Sequence, residues 1–150
     1  MMKARAKSFW NWDFQISGSS TGAISTTLDQ KTENGTIAHA GQTYAVAKQK
    51  TGLGHWTLTL DAQTCGEAQI TGIGVSKIEF TVPEGLLEAT ALPFSRRYDF
   101  SMLEKKVGMI SPGHLLTRES IIDFDGAVGE LTQVFCFWMA ALKWYHGSQD

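Results

Sequence analysis

The C-terminal segment from Leu131 to Tyr145 is apolar or aromatic at nearly every position, and it constrains the fold more than any other part of the chain. A helix that is hydrophobic on all sides has to be enclosed, either by lipid or by protein. As a helix, this segment would be ~22 Å long, whereas a bilayer span needs ~20 apolar residues over ~30 Å of hydrocarbon. Lys143 interrupts the apolar run near its end. The sequence therefore favours a helix buried inside a protein core.

The residues before this segment alternate between apolar and polar side chains, which is the pattern of half-buried strands. In the run 9–17, the side chains of Trp10, Trp12, Phe14 and Ile16 would all face the core as barrel lining. Turns rich in glycine, asparagine and proline separate this run from similar ones. We predict about eleven strands, at 9–17, 22–28, 35–40, 42–50, 53–61, 64–71, 75–82, 85–92, 96–103, 106–111 and 116–125. Their short, even spacing is typical of antiparallel barrels and sandwiches.

The last element changes to helical character after Gly126. We predict a helix from about Gly129 to Tyr145, with Glu130 in its first turn and Lys143 and His146 near its end, where they complement the helix dipole. The sequence offers no second helix to cover it. We therefore expect one domain, residues 1–150, that is mainly β: a closed antiparallel barrel of about eleven or twelve strands around the buried helix.

The net charge, the two cysteines and the N-terminal residues limit the classes of function and the location that we expect for this chain. A net charge of −2 and a pI near 6.1 argue against nucleic acid as a partner, since nucleic-acid-binding domains usually carry a strongly basic face. Cys65 and Cys136 lie far apart, and two reduced thiols are a simpler interpretation than a disulfide, which the sequence leaves open.

The basic N-terminus, with Lys3, Arg5 and Lys7, precedes no apolar run. We therefore expect no secretory signal and a cytoplasmic location. The N-terminal residues themselves are expected to form a flexible tail.

Three short segments and the terminal helix carry a resemblance to a known family. They are a glycine hairpin leading to an aromatic strand at 34–44, the segment Lys-Val-Gly-Met-Ile at 106–110, and the acidic 123–125. With them the chain resembles the tubby C-terminal-like group, which includes the plant LURP-one-related proteins and the phospholipid scramblases. The resemblance implies an antiparallel barrel of about twelve strands around a hydrophobic C-terminal helix.

The same resemblance implies binding of anionic lipid. Tubby domains bind phosphoinositide headgroups through basic side chains on the outer surface of the barrel. Scramblase activity is not carried over, because the chain has neither a cysteine cluster for palmitoylation nor a complete calcium-loop pattern. The acidic Asp-Phe-Asp segment at 123–125 is better interpreted as a cap for the following helix.

Catalytic and metal-binding residue types do not form a recognisable pattern in the sequence. His39, His55, His114 and His146 are scattered, and there is no CxxC or HxxxH spacing, so we expect no metal and no cofactor. A G-x-S-x-G nucleophile motif is also missing, and Cys136 lies between two phenylalanines, where burial would suppress its reactivity. These observations disfavour an enzyme.

Basic residues provide the candidate binding site. Lys48 and Lys50 share one face of a predicted strand, ~6–7 Å apart, and at the barrel rim they could hold an anionic headgroup. A second patch comprises Arg96, Arg97, Lys105 and Lys106. The two pairs of this patch flank one predicted strand, which should place them at its opposite ends.

The sequence hypothesis is thus a non-enzymatic binding module for an anionic phospholipid headgroup or a protein partner, with peripheral membrane contact. Two alternatives stay open: a membrane-anchored protein that uses the C-terminal helix, and an enzyme with a site assembled from dispersed residues.

Overall fold

The computed structural model describes residues 1–8, 10–50, 54–71, 77–91, 95–114 and 118–148. Within these residues the chain forms twelve strands and one helix. The strands are β1 (Met2–Ala6), β2 (Phe14–Ser17), β3 (Ile24–Leu28), β4 (Gly35–His39), β5 (Gln42–Gln49), β6 (His55–Leu60), β7 (Gln63–Thr71), β8 (Lys77–Val82), β9 (Gly85–Ala91), β10 (Tyr98–Met102), β11 (Lys105–His114) and β12 (Glu119–Phe124), and the helix is α1 (Glu130–Ser148). Residues 9, 53, 75–76, 92 and 116–117 of the predicted strands lie outside the described residues.

The strands form one closed antiparallel barrel. Each strand pairs with its neighbours in the chain, and β1 closes the sheet by pairing with β12, where Met2 faces Ile122. Closure leaves no open sheet edge with unpaired backbone groups. The predicted mainly β, closed barrel is therefore confirmed.

Helix α1 lies inside the barrel. Strands β2 and β8 are six positions apart in the ring and therefore lie on opposite walls. The ring of Phe137 packs on Phe14 of β2 at 5.0 Å between centroids, and the ring of Phe135 packs on Phe80 of β8 at 5.5 Å. Every residue from 134 to 142 is at most 3% exposed, including the predicted core residues Phe135, Trp138 and Leu142. The prediction of an enclosed helix is confirmed.

The direction of the helix distinguishes the two ends of the barrel. The lower end is where α1 begins, together with the turns β2–β3, β4–β5, β6–β7, β8–β9 and β10–β11. The upper end is where α1 finishes, together with the turns β1–β2, β3–β4, β5–β6, β7–β8, β9–β10 and β11–β12.

A carboxylate from the β8–β9 turn caps the start of the helix. Glu84 accepts hydrogen bonds from the backbone N–H of Gly129 and from Oγ1 of Thr132, both at 2.8 Å. A negative charge at this position satisfies a free amide and complements the helix dipole. Asp125, in the segment expected to cap the helix, instead accepts a bond from the N–H of Ala127, within the preceding turn.

The expectation of a flexible N-terminal tail is wrong. Residues 2–6 form β1, in which Met2 and Ala4 point inward and are buried while Lys3 and Arg5 point outward. These five residues supply the strand that closes the barrel, and their omission explains why eleven strands were predicted instead of twelve.

The predicted strand at 9–17 is largely a loop. Only Phe14–Ser17 is strand, and Trp10, predicted to line the barrel, is 88% exposed. The loop folds back on itself because the N–H of Lys7 donates to the carbonyl of Asp13 at 2.9 Å. Its Trp12 is partly buried and packs edge-on against Tyr145 near the end of α1, at 5.7 Å between ring centroids. The loop thus covers the upper end instead of extending the wall.

Candidate anion-binding site at the upper end

Cationic side chains concentrate at the upper end of the barrel. In the described turns and strand ends there, they are Lys7, Lys31, Lys48, Lys50, Lys77, Arg96, Arg97, Arg118 and Lys143. The carboxylates of the same region are Asp13, Asp29, Glu33, Asp99 and Glu119. An excess of one sign at one end creates a field that attracts anions. Which cations can bind a ligand depends on their present partners.

Lys48 is held by the protein itself. Its Nζ lies 2.8 Å from Oε2 of Glu33 and 5.6 Å from the ring centroid of Trp56. Burial opposes ionisation of Glu33, but its hydrogen bonds with Lys48 and with His146 outweigh that effect and lower its pKa. The Glu33 carboxylate therefore stays charged and neutralises Lys48 at neutral pH.

Lys50 differs from Lys48 in its surroundings. Strand β5 ends at Gln49, so Lys50 lies in the bend beyond it and is exposed. The predicted pair of equivalent cations on one strand face is thus split into one neutralised lysine at the rim and one exposed lysine outside the strand.

Arg96 and Lys143 line a common concavity. It measures about 460 Å³ and includes Ser95 of the β9–β10 turn and Trp144 of α1 among its walls. The guanidinium carbon of Arg96 lies 6.0 Å from the ring centroid of Trp144, whose Nε1 donates to the Arg96 carbonyl at 2.7 Å. Among the described residues neither Arg96 nor Lys143 forms an ion pair with a carboxylate. We name this feature the Arg96–Lys143 concavity.

The predicted second patch is divided in an unexpected way. Arg97 and Lys106 were expected at opposite ends of one strand, but both reach Asp99 on the outer wall, where Oδ1 lies 2.9 Å from Arg97 Nε and 3.3 Å from Lys106 Nζ. The two pairs do flank β10 at its opposite ends. The side chains of Arg97 and Lys106 nevertheless meet at Asp99, because Arg97 lies two residues before Asp99 and the flexible side chain of Lys106 extends along the wall. Lys105 starts β11 at the lower end, away from Arg96.

Arg118 closes the upper end and is not free to meet a ligand. Its guanidinium donates to the backbone carbonyls of Ser8 and Asn11 and lies 4.8 Å from the ring centroid of Trp12. Burial lowers its pKa. The side chain fixes the β1–β2 loop over the barrel mouth, which is a structural role.

Sequence reasoning missed Lys143 and Glu33 as parts of this region. Lys143 was interpreted as an interruption of the apolar run and as a partner of the helix dipole, since nothing in the sequence brings it near Arg96. Glu33 lies in a turn, and its approach to Lys48 depends on the register in which Gly35 faces Val46.

A second polar cluster surrounds Glu130 at the lower end. Glu130 accepts hydrogen bonds from the N–H of Ser20 at 2.8 Å, from Oγ of Ser19 at 2.8 Å and from Oγ1 of Thr21 at 3.2 Å. His39 Nε2 lies 3.2 Å from Thr21 Oγ1 and 3.7 Å from a Glu130 oxygen. In a catalytic triad the carboxylate and the hydroxyl bond to opposite ring nitrogens, whereas here they meet the same one. The cluster ties the β2–β3 turn to the helix.

Replacing Glu130 by glutamine should destabilise the fold at neutral pH but not in strong acid. The backbone N–H of Ser20, supported by the hydroxyls, lowers the pKa of Glu130 from 4.5 to about 2. The stabilisation is present above pH 4.5 and is lost as the pH falls toward 2. Solvent screens the exposed part of the side chain, so we expect a loss of about 1–2 kcal/mol near neutrality.

Urea unfolding of Glu130→Gln and the wild type, followed stepwise from neutral pH to strong acid, checks this expectation. Glu104→Gln removes an exposed carboxylate from another lower-end turn and serves as the control. A difference between Glu130→Gln and the wild type that stays constant across the whole range would contradict the linkage.

No group of three His, Cys, Asp or Glu side chains that could hold a metal ion occurs among the described residues, which do not include the side chain of His114. Cys65 and Cys136 are both free thiols, and burial raises the pKa of Cys136 well above its ordinary value. In the same part of the chain, no helix has the length and apolar character needed to cross a bilayer.

Comparisons of the chain with protein-family models, with curated proteins and with solved structures give no match. The tubby-like resemblance therefore stays a prediction.

Proposed function

We propose that this chain is a non-enzymatic binding module that recognises anionic phospholipid headgroups with the upper end of its barrel. The observation that carries the proposal is the Arg96–Lys143 concavity. It brings two cations that lack an ion-pair partner in the described structure to one recess, within a region where cations outnumber carboxylates.

The chemistry of the recess suits a phosphate group. A guanidinium offers several donors in a planar fork, and an ammonium adds a mobile point charge, a combination that fits the oxygens of a phosphate ester. The Ser95 hydroxyl lines the same recess. The stacking of Arg96 on Trp144 restricts the guanidinium before a ligand arrives, which reduces the entropy lost on binding.

The end of α1 also lies here, and its partial negative charge opposes anion binding. A helix C-terminus carries about half a negative charge, which two full positive charges exceed. Lys50 at the same end adds to the attraction. Lys48 contributes less, because a headgroup would have to compete with Glu33 for its ammonium group.

Co-sedimentation with vesicles tests the proposal. Neutral phosphatidylcholine vesicles are compared with vesicles that also contain phosphatidylserine or a phosphoinositide, at low and at physiological salt. We expect binding to the anionic vesicles alone, weaker at physiological salt, where the Debye length is about 8 Å.

Variants locate the site. Arg96→Ala/Lys143→Ala should weaken binding by roughly 30-fold, since each cation near an anionic surface contributes about 1 kcal/mol. Lys48→Ala/Lys50→Ala should have a smaller effect. Lys105→Ala/Lys106→Ala removes the same charge from the lower end and the outer wall and is the matched control. Equal weakening by all three double variants, or binding to neutral vesicles, would overturn the proposal.

A further inference from the structure

The lower end of the barrel carries the opposite charge to the upper end. Its described turns and strand ends hold the carboxylates Asp61, Glu84, Glu104, Asp123, Asp125 and Glu130. The cations at or near the same end are Lys3, Lys105 and Lys106. The lower end of one copy is therefore electrostatically complementary to the upper end of another, and such complementarity guides association and orientation.

Two leucines project from the lower end beside a groove. Leu103 is 98% exposed and Leu86 is 61% exposed. They belong to neighbouring hairpins and, together with Met102, line a groove of about 350 Å³ that Glu84 and Glu104 border. Large apolar side chains gathered at a groove with a charged rim are typical of a docking site for protein.

The backbone at Leu103 supports a role outside the fold. Leu103 and Glu104 form the turn between β10 and β11, and both are left-handed, with φ of 50° and 64°. Two-residue turns of this kind favour asparagine and glycine, because other side chains are strained there. Leu103 makes little compensating contact within the chain, since it is almost fully exposed. Backbone strain that no contact within the chain offsets suggests that Leu103 has a function outside the fold.

The upper end presents a large aromatic side chain. Trp10 is 88% exposed in the β1–β2 turn, which also carries Lys7. Tryptophan is enriched at the centres of protein interfaces because it buries much apolar area with few rotatable bonds. The groove is lined by the apolar side chains of Leu86, Met102 and Leu103 and by the carboxylates of Glu88 and Glu104, a combination that matches an indole accompanied by lysine.

We propose that copies of this chain associate head to tail, with Trp10 of one copy seated in the groove between Leu86 and Leu103 of the next. The occupant of the groove is a second copy of the chain, because one molecule carries both partners of the contact. The groove and its carboxylates lie at the lower end, and Trp10 and the cations lie at the upper end. The contact is heterologous. Each assembly ends in one groove and one Trp10 side chain at which a further copy can add.

This association does not depend on lipid binding. The copy at one end of an assembly has no neighbour at its upper end. That copy can contact a membrane while the other copies use their upper ends for association.

Sedimentation velocity over micromolar to millimolar protein concentrations tests the association. The wild type should show an average mass that rises with concentration and falls at high salt. Trp10→Ala and Leu103→Asn should both stay monomeric, whereas Trp10→Phe, which keeps an aromatic ring, should retain part of the association. Asparagine tolerates the left-handed backbone, so Leu103→Asn should also raise the thermal midpoint, which separates lost association from misfolding.

Mixing the two monomeric variants provides the decisive measurement. Trp10→Ala keeps its groove and Leu103→Asn keeps its tryptophan, so an equimolar mixture should form a heterodimer with one copy of each variant, which grows no further. A contact made by the same surface on both copies would not be restored in this way.

Three outcomes would overturn the inference: a wild type that is monomeric at all concentrations, association that survives both substitutions, or a mixture that stays monomeric while the wild type associates. Vesicle binding by Leu103→Asn reports separately on the proposed function, because the substitution leaves the upper end intact.

Discussion

Replacing Trp138 by alanine is expected to lower the free energy of unfolding by about 3–5 kcal/mol, the range for removal of a buried aromatic side chain. Trp138 lies at the middle of α1 and is 2% exposed. Its Nε1 donates to the carbonyl of Thr27 on β3 at 2.8 Å. Alanine would therefore leave both a cavity between helix and wall and the partly buried Thr27 carbonyl without its partner. Urea unfolding followed by circular dichroism measures the loss.

Two further tryptophan variants separate these contributions. Trp138→Phe keeps most of the apolar volume but removes the hydrogen bond to Thr27, and we expect a loss of about 1–3 kcal/mol from the unpaired carbonyl. Trp10→Ala removes the same side chain from an exposed site and should change stability by less than about 0.5 kcal/mol. Equal stabilities for Trp138→Ala and Trp10→Ala would contradict an enclosed helix.

The burial of α1 could be predicted because the sequence signal is local and strong. A segment such as 134–142, without a polar face, has no stable position at the surface, and the preceding period-two runs supply only a sheet to enclose it. Strands β3 to β10 also follow their predicted positions closely, since glycine and other turn residues bound each run. A closed barrel is the arrangement that satisfies both signals.

The N-terminal region could not be predicted correctly because its alternation is ambiguous. Trp10 and Trp12 alternate with polar residues as in a strand, but hydrogen bonds from the Arg118 guanidinium to the backbone carbonyls of Ser8 and Asn11 hold this segment as a loop. Conversely, β1 has only small or flexible inward side chains, such as Ala4, and its pairing with β12 joins opposite ends of the chain. Nothing local signals a pairing over that distance.

The candidate site could be predicted only in part for a related reason. Basic residues are visible in a sequence, but their partners are not. Lys48 of β5 is neutralised by Glu33 from the β3–β4 turn, and Lys106 of β11 by Asp99 of β10. Arg96, in contrast, shares a concavity with Lys143 from the far end of the chain. Register and barrel closure decide which cations remain available, and both are properties of the whole sheet.

Replacing Gly35 by alanine is expected to destabilise the fold by at least about 3 kcal/mol, the upper end of the usual range for overpacking. Gly35 begins β4, directly beside the contact between Trp138 and Thr27. A Cβ at Gly35 would overlap the Thr27 carbonyl oxygen and lie 2.7 Å from Nε1 of Trp138. The methyl group would thus meet backbone on one side and a fully packed indole on the other, and neither can move without disturbing the wall or the helix.

Gly126→Ala is the matched control, because a Cβ at Gly126 meets nothing within 4 Å. It should be neutral or stabilising by up to about 1 kcal/mol, through the reduced freedom of the unfolded chain. The double variant Gly35→Ala/Trp138→Phe tests the mechanism. Removing the indole nitrogen relieves one of the two clashes, so the double variant should lose less stability than the two single losses added together. Strict additivity, or a Gly35→Ala protein as stable as Gly126→Ala, would show that the close approach of β3, β4 and Trp138 does not determine the stability of the barrel.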